Sequence, residues 1–138
     1  MKKNKPKYGY CAVTADILHV GHIKQIRRCA RLCEKLIVGV MTDDIVFHYK
    51  GHYPIIPYSQ RAEIIKSLKL VHKVIPQNNF EFVKCTQLMV MKGVYEKDFI
   101  IFDCSDHRRE GADICFPYTK GISSSLIKQR IYENLNNR

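Results

Sequence analysis

The stretch Tyr8-Gly-Tyr-Cys-Ala-Val-Thr-Ala-Asp-Ile-Leu-His-Val-Gly-His22 constrains this chain more than any other, because an apolar run of strand length passes directly into a turn with two histidines and a glycine. From Gly21 the period changes. Ile23, Ile26, Ala30 and Cys33 recur at three- and four-residue spacing while Lys24, Arg27, Arg28 and Arg31 take the other faces, so an amphipathic helix is expected to about Cys33. Lys35-Leu-Ile-Val-Gly-Val-Met41 then reads as a second apolar strand. The two strands and their crossover form a β-α-β unit of right-handed connection. In open α/β sheets ligands bind beyond the carboxyl ends of the strands, where His19 and His22 fall. A turn tightened at Gly21 projects both imidazoles to one side at the helix start, where free N–H groups and the helix dipole favour phosphate.

The alternation continues. Thr42-Asp-Asp44 reads as a helix cap for a short turn through Phe47, and the stretch from His48 to Pro57, with two prolines and a glycine, reads as a loop. Ser59 is expected to cap a helix over residues 60–70, and residues 71–76 return as a third strand stopped by Pro76. Residues 80–91 suit a helix, 98–103 and 112–116 a fourth and fifth strand, and Ser123 caps a final helix with Ile127, Ile131 and Leu135 in an apolar line. The expectation is an α/β chain with a five-stranded parallel sheet: one domain over residues 8–138 behind a basic tail over residues 1–7.

Composition narrows the partners. The 138 residues suit a single core, and a net charge of +10 calls for anionic ligands. The basic residues are dispersed and not interleaved with aromatics, which argues against a nucleic-acid stacking platform. Six cysteines (Cys11, Cys29, Cys33, Cys85, Cys104, Cys115) form no CxxC pair and lie mostly in apolar runs, as small hydrophobes in a reducing cytoplasm do. No matching His or Cys pair follows Cys29 and Cys33 at zinc-site spacing, so no side-chain metal site is expected. No apolar run approaches the roughly 20 residues of a membrane span.

A second motif stands near the end, Gly121-Ile-Ser-Ser-Ser-Leu-Ile-Lys128. Together with Thr14-Ala-Asp-Ile-Leu-His-Val-Gly-His22 it resembles the paired HxGH and GIS(S/T)(S/T)xI(K/R) segments of the nucleotidyltransferase superfamily, in its cytidylyltransferase branch. The likeness covers residues 10–131 and is similar to enzymes of the glycerol-3-phosphate type and of phosphonate biosynthesis. It implies a Rossmann-like three-layer sandwich and transfer of CMP from CTP to a small phosphomonoester or phosphonate (glycerol-3-phosphate-like, phosphocholine- or phosphoethanolamine-like, or 2-aminoethylphosphonate-like), with release of pyrophosphate.

What the resemblance implies for residues is specific. His19 and His22 stabilise the α-phosphate in the transition state, with Lys50 of a Lys-Gly pair contacting phosphate. Thr14, Ala15, Gly21, His22, Asp106, Gly121, Ile122, Ser123, Ser124 and Ser125 hold the nucleotide. Asp16, Lys50 and Arg61, the last from Tyr58-Ser-Gln-Arg61, serve the acceptor or triphosphate; Asp16 either holds the turn or approaches Mg²⁺, which is carried mainly by the triphosphate. The family pattern departs at Val13, Ala15 and Tyr118-Thr-Lys-Gly121, and the segment after the fourth strand has no tryptophan. A homodimer is expected by resemblance. Two other readings stay open: an adenylyltransferase of the same superfamily, and a binding module that holds nucleotide without turnover.

Overall fold

A computed structural model describes residues 4–95, 98–105 and 109–137. Five strands, β1 (Tyr8–Val13), β2 (Lys35–Met41), β3 (Val71–Gln77), β4 (Phe99–Asp103) and β5 (Ile114–Cys115), form one parallel sheet in the order β3-β2-β1-β4-β5. The helices are α1 (Val20–Ala30), α2 (Asp43–Lys50), α3 (Tyr58–Lys66), α4 (Thr86–Tyr95) and α5 (Ser124–Asn136), with a 3-10 turn at Phe82–Lys84. This is the α/β Rossmann-like fold.

Alternation along the strands builds two cores. Cys11, Val13, Val38, Val40 and Phe102 point to one face and bury Ile26 and Cys29 of α1, Cys33 of the turn after it and Ile65 of α3. Tyr10, Ile37, Ile75 and Ile101 point to the other and meet Phe82, Cys85 and Leu88. Helical segments thus cover both faces of the sheet. Chain order reverses between β1 and β4, so the loops leaving these neighbouring strands diverge and open a crevice at their carboxyl ends.

Several element boundaries differ from the sequence expectation. Helix α1 stops at Ala30. Helix α2 continues through His48, Tyr49 and Lys50 until Gly51 takes a left-handed φ of 77°, so Lys50 ends a helix instead of riding in a loop. Pro57, not Ser59, is the cap of α3: its extended backbone leaves its carbonyl to accept from the N–H groups of Gln60 and Arg61. Strand β3 runs through Pro76, which pairs with Val40, because an edge strand tolerates a missing donor. The 80–91 segment divides into the 3-10 turn and α4, and β5 is only two residues long. Of the cysteines, Cys115 is exposed and the other five are buried. In the basic tail, the carbonyls of Pro6 and Lys7 already accept from Glu34 and Lys35. Ile131 and Leu135, the expected apolar line of α5, lie exposed. No helix among the described residues is long and apolar enough to cross a membrane.

Candidate active site

The crevice holds a cavity of about 500 Å³ lined by residues of the β1–α1 turn, the end of α2, the segment after β4 and the start of α5. His19 is the cap of α1. Its Nδ1 accepts from the Gly21 N–H at 3.0 Å, and Nδ1 of His22 accepts from the His19 N–H at 3.2 Å. A neutral imidazole that accepts at Nδ1 carries its proton at Nε2, so each ring keeps one donor, Nε2–H, to offer a ligand. The ring centroids are 3.9 Å apart.

Burial holds His22 down to about 4, with the neighbouring His19 and the charge of Lys50 acting in the same direction. Burial likewise lowers His19. Both rings are therefore neutral hydrogen-bond donors at neutral pH. Gly21 is required between them: a Cβ there would lie 2.7 Å from Cε1 and 2.9 Å from Nδ1 of His19, and 3.2 Å from Cγ2 of Ile122.

Across the cavity, Gly121 takes a φ of 81°, a left-handed turn into α5. Ser123 is the cap of that helix, its hydroxyl accepting from Leu126 N–H at 3.1 Å. Ser124 donates to the Ile17 carbonyl at 3.2 Å, tying the start of α5 to the β1–α1 turn. The N-termini of α1 and α5 thus share one cavity, two partial positive charges suited to phosphate.

Asp16 is buried and anchors this corner. One carboxylate oxygen accepts from Ile56 N–H at 2.9 Å and the other from the Lys128 ammonium at 2.5 Å. Burial alone would raise its pKa, but the hydrogen bonds from Ile56 and Lys128 outweigh it and the carboxyl sits below its ordinary value. Asp103, also buried, accepts from Ser105 N–H and hydroxyl at one oxygen and from Arg109 N–H at the other. Both oxygens of each carboxylate thus accept hydrogen bonds, and among the described residues no three His, Cys, Asp or Glu side chains stand together as a metal-binding group.

Of the sequence-predicted site residues, Thr14, Asp16, His19, Gly21, His22, Lys50, Gly121, Ile122, Ser123, Ser124 and Ser125 meet at the cavity. Ala15 does not line it; this buried residue has a left-handed φ of 52° that turns the chain between Thr14 and Asp16. Arg61 is not part of the lining either. Its guanidinium is fully buried, donating to the Thr14 carbonyl (2.7 Å), the Ile56 carbonyl (2.7 Å) and the Asp43 carboxylate (2.6 Å). Asp106 lies outside the described residues. The cavity also takes in Tyr49 and Arg109, for which the sequence carries no signal: Tyr49 falls in the stretch whose prolines and glycine read as a loop, and Arg109 ends a segment in which only Asp106 and the absence of tryptophan stand out.

The family model described as cytidylyltransferase-like matches residues 10–130. The chain is 30% identical over 128 residues to a glycerol-3-phosphate cytidylyltransferase of Staphylococcus aureus, covering 86% of this chain and 90% of that one. It is 31% identical over 99 residues to an FAD synthase of Pyrococcus horikoshii, covering 69% and 65%. A crystal structure of a lipopolysaccharide core biosynthesis protein from Thermoplasma volcanium superposes with a TM-score of 0.63 at 22% identity, over 84% of this chain and 98% of that one, a likeness of fold.

Proposed function

The chain belongs to the cytidylyltransferase-like family of nucleotidyltransferases, and on that premise we propose that it transfers CMP from CTP to a small phosphomonoester or phosphonate. One observation carries the reading: two imidazoles, each held with Nε2–H as its free donor, stand at one helix N-terminus and share a cavity with a second. An acceptor phosphate oxygen attacks the α-phosphorus of CTP, a P–O bond forms, and the bond to the bridging oxygen breaks as pyrophosphate leaves. Little covalent help is needed, so catalysis is positioning plus charge stabilisation.

In this mechanism His19 and His22 donate to the oxygens of the crowded α-phosphorus. Thr14, Gly21, Gly121, Ile122 and the three serines cradle the nucleotide, and Lys50 neutralises phosphate charge from the end of α2. Asp16 positions the turn and α5, since both of its oxygens are engaged. Mg²⁺, held mainly by the triphosphate, would shield its charge. We assign the chain to the cytoplasm, in keeping with its unpaired cysteines. We also read it as a homodimer, supported by exposed Met89, Val90 and Val94 of α4 and Ile131, Tyr132 and Leu135 of α5.

The test is pyrophosphate release with Mg²⁺ and each of CTP, ATP, GTP and UTP over a panel of phosphate and phosphonate acceptors. Turnover with CTP is expected. Turnover with ATP alone would favour adenylyl transfer, the reading to which the FAD synthase relative points. Light scattering of the purified chain tests the dimer.

A further inference from the structure

We propose that Arg109 selects the acceptor, favouring a phosphomonoester or phosphonate with a second anionic group, a carboxylate, over one with a cationic tail. This rests on the transfer reading above. Arg109 lines the cavity but is only 9% exposed. Its guanidinium carbon lies 4.8 Å from the ring centroid of Phe80 and 5.5 Å from that of Phe82. Tyr49, another lining residue, stands 5.4 Å from Phe80. Aromatic faces of this kind attract a ligand cation, but here the protein's own cations already stand over them, Arg109 over Phe80 and Phe82 and Lys50 over Tyr49. A choline or ethanolamine head would meet a fixed positive charge.

Among the described residues the same guanidinium has no carboxylate paired with it. Nε of Arg109 is buried without an acceptor, and among the described residues the ion pairs are Arg61–Asp43 and Lys128–Asp16. Asp103 is bonded to the backbone N–H of Arg109 at 2.6 Å and to Ser105, which fixes where the arginine leaves the chain without pairing its side chain. A buried charge left unpaired is costly, and an anionic ligand removes that cost. The nucleotide phosphates already have the two helix N-termini and Lys50. Arg109 stands instead on the wall of Tyr49, Phe80 and Phe82, free for the far end of the acceptor.

The experiment compares kcat/KM with CTP for 3-phosphoglycerate, glycerol-3-phosphate, phosphoethanolamine and phosphocholine, in the wild type and in Arg109→Met and Arg109→Lys. The wild type should use 3-phosphoglycerate at least about ten-fold better than phosphocholine, the scale of one charge contact. Arg109→Met should lose about ten-fold or more on 3-phosphoglycerate and hold or gain on phosphocholine, whose head then meets no fixed charge, and Arg109→Lys should keep part of the preference. A wild type that prefers phosphocholine or phosphoethanolamine overturns the proposal. So does a uniform loss over all acceptors in a folded Arg109→Met, which would put Arg109 on their common phosphate. Calorimetric titration of 3-phosphoglycerate and phosphocholine into the nucleotide-free protein separates the two readings. Selective binding of 3-phosphoglycerate that depends on Arg109, without turnover with any nucleotide, removes the transfer reading and leaves Arg109 as the anion-selecting residue of a binding site. Equal binding of both removes this one even if transfer occurs.

Discussion

At the scale of single residues, the site depends on the protonation of two rings. His19 and His22 are neutral Nε2–H donors, and one such donor to a developing charge is worth about 2.7–4 kcal/mol in the transition state. His19→Ala and His22→Ala should each lower kcat by about 10²–10³, with KM for CTP moving far less; pyrophosphate release at saturating CTP measures this. Because the rings touch, the double variant should fall short of the product of the two losses. The depressed pKa of His22 also fixes a stability trend. Below about pH 6.5 the unfolded chain binds a proton that the folded chain refuses until about pH 4, so this contribution is fully present above 6.5 and is lost as pH falls toward 4. Its upper bound is about 3 kcal/mol. Melting of wild type and His22→Asn between pH 7 and 4.5 should show the steeper decline in the wild type; parallel curves would mean that His22 titrates normally.

At the scale of elements, α5 has no buried residue, so its hold on the sheet is polar and concentrated at its first turns. The Ser123 cap, the bond from Ser124 to Ile17 and the ion pair of Lys128 with Asp16 supply it. Lys128→Met leaves the Asp16 carboxylate buried with backbone N–H partners but no counter-charge from Lys128, which should cost about 3 kcal/mol and release the start of α5. The expected readout is a lower melting temperature together with a higher KM for CTP, and faster amide exchange over residues 124–130. Ser123→Ala should cost about 1 kcal/mol and raise the same KM. This element shows what could be read beforehand. The Ser123 cap was legible because capping is local, whereas the partner of Lys128 lies at the other end of the chain in β1's turn. Likewise two prolines and a glycine make the stretch around Lys50 look like a loop in sequence, yet Gly51 closes a helix that begins at Asp43.

At the scale of the whole molecule, the strand–turn–helix periodicity placed the sheet and the two phosphate-facing helix starts, since each is fixed by contiguous residues. What periodicity did not carry was the wall opposite them, where Arg109 meets Phe80 and Phe82 from a separate segment, or the true surroundings of Arg61. A motif names a residue without saying which way it points. Arg61 points inward and joins the β1 turn, α2 and the loop before α3 through Thr14, Asp43 and Ile56. Removing it strands two carbonyls and an ion-pair partner, so Arg61→Met should cost about 3 kcal/mol or more. The melting temperature should then fall by about 10 °C in a chain of this size. The cavity walls it joins should loosen with it, raising KM for CTP and acceptor together. Glutamine at the same position keeps donors for the carbonyls and should recover part of the melting temperature. An Arg61→Met protein that melts like the wild type but has lost acceptor affinity would instead mean that the guanidinium turns to the substrate.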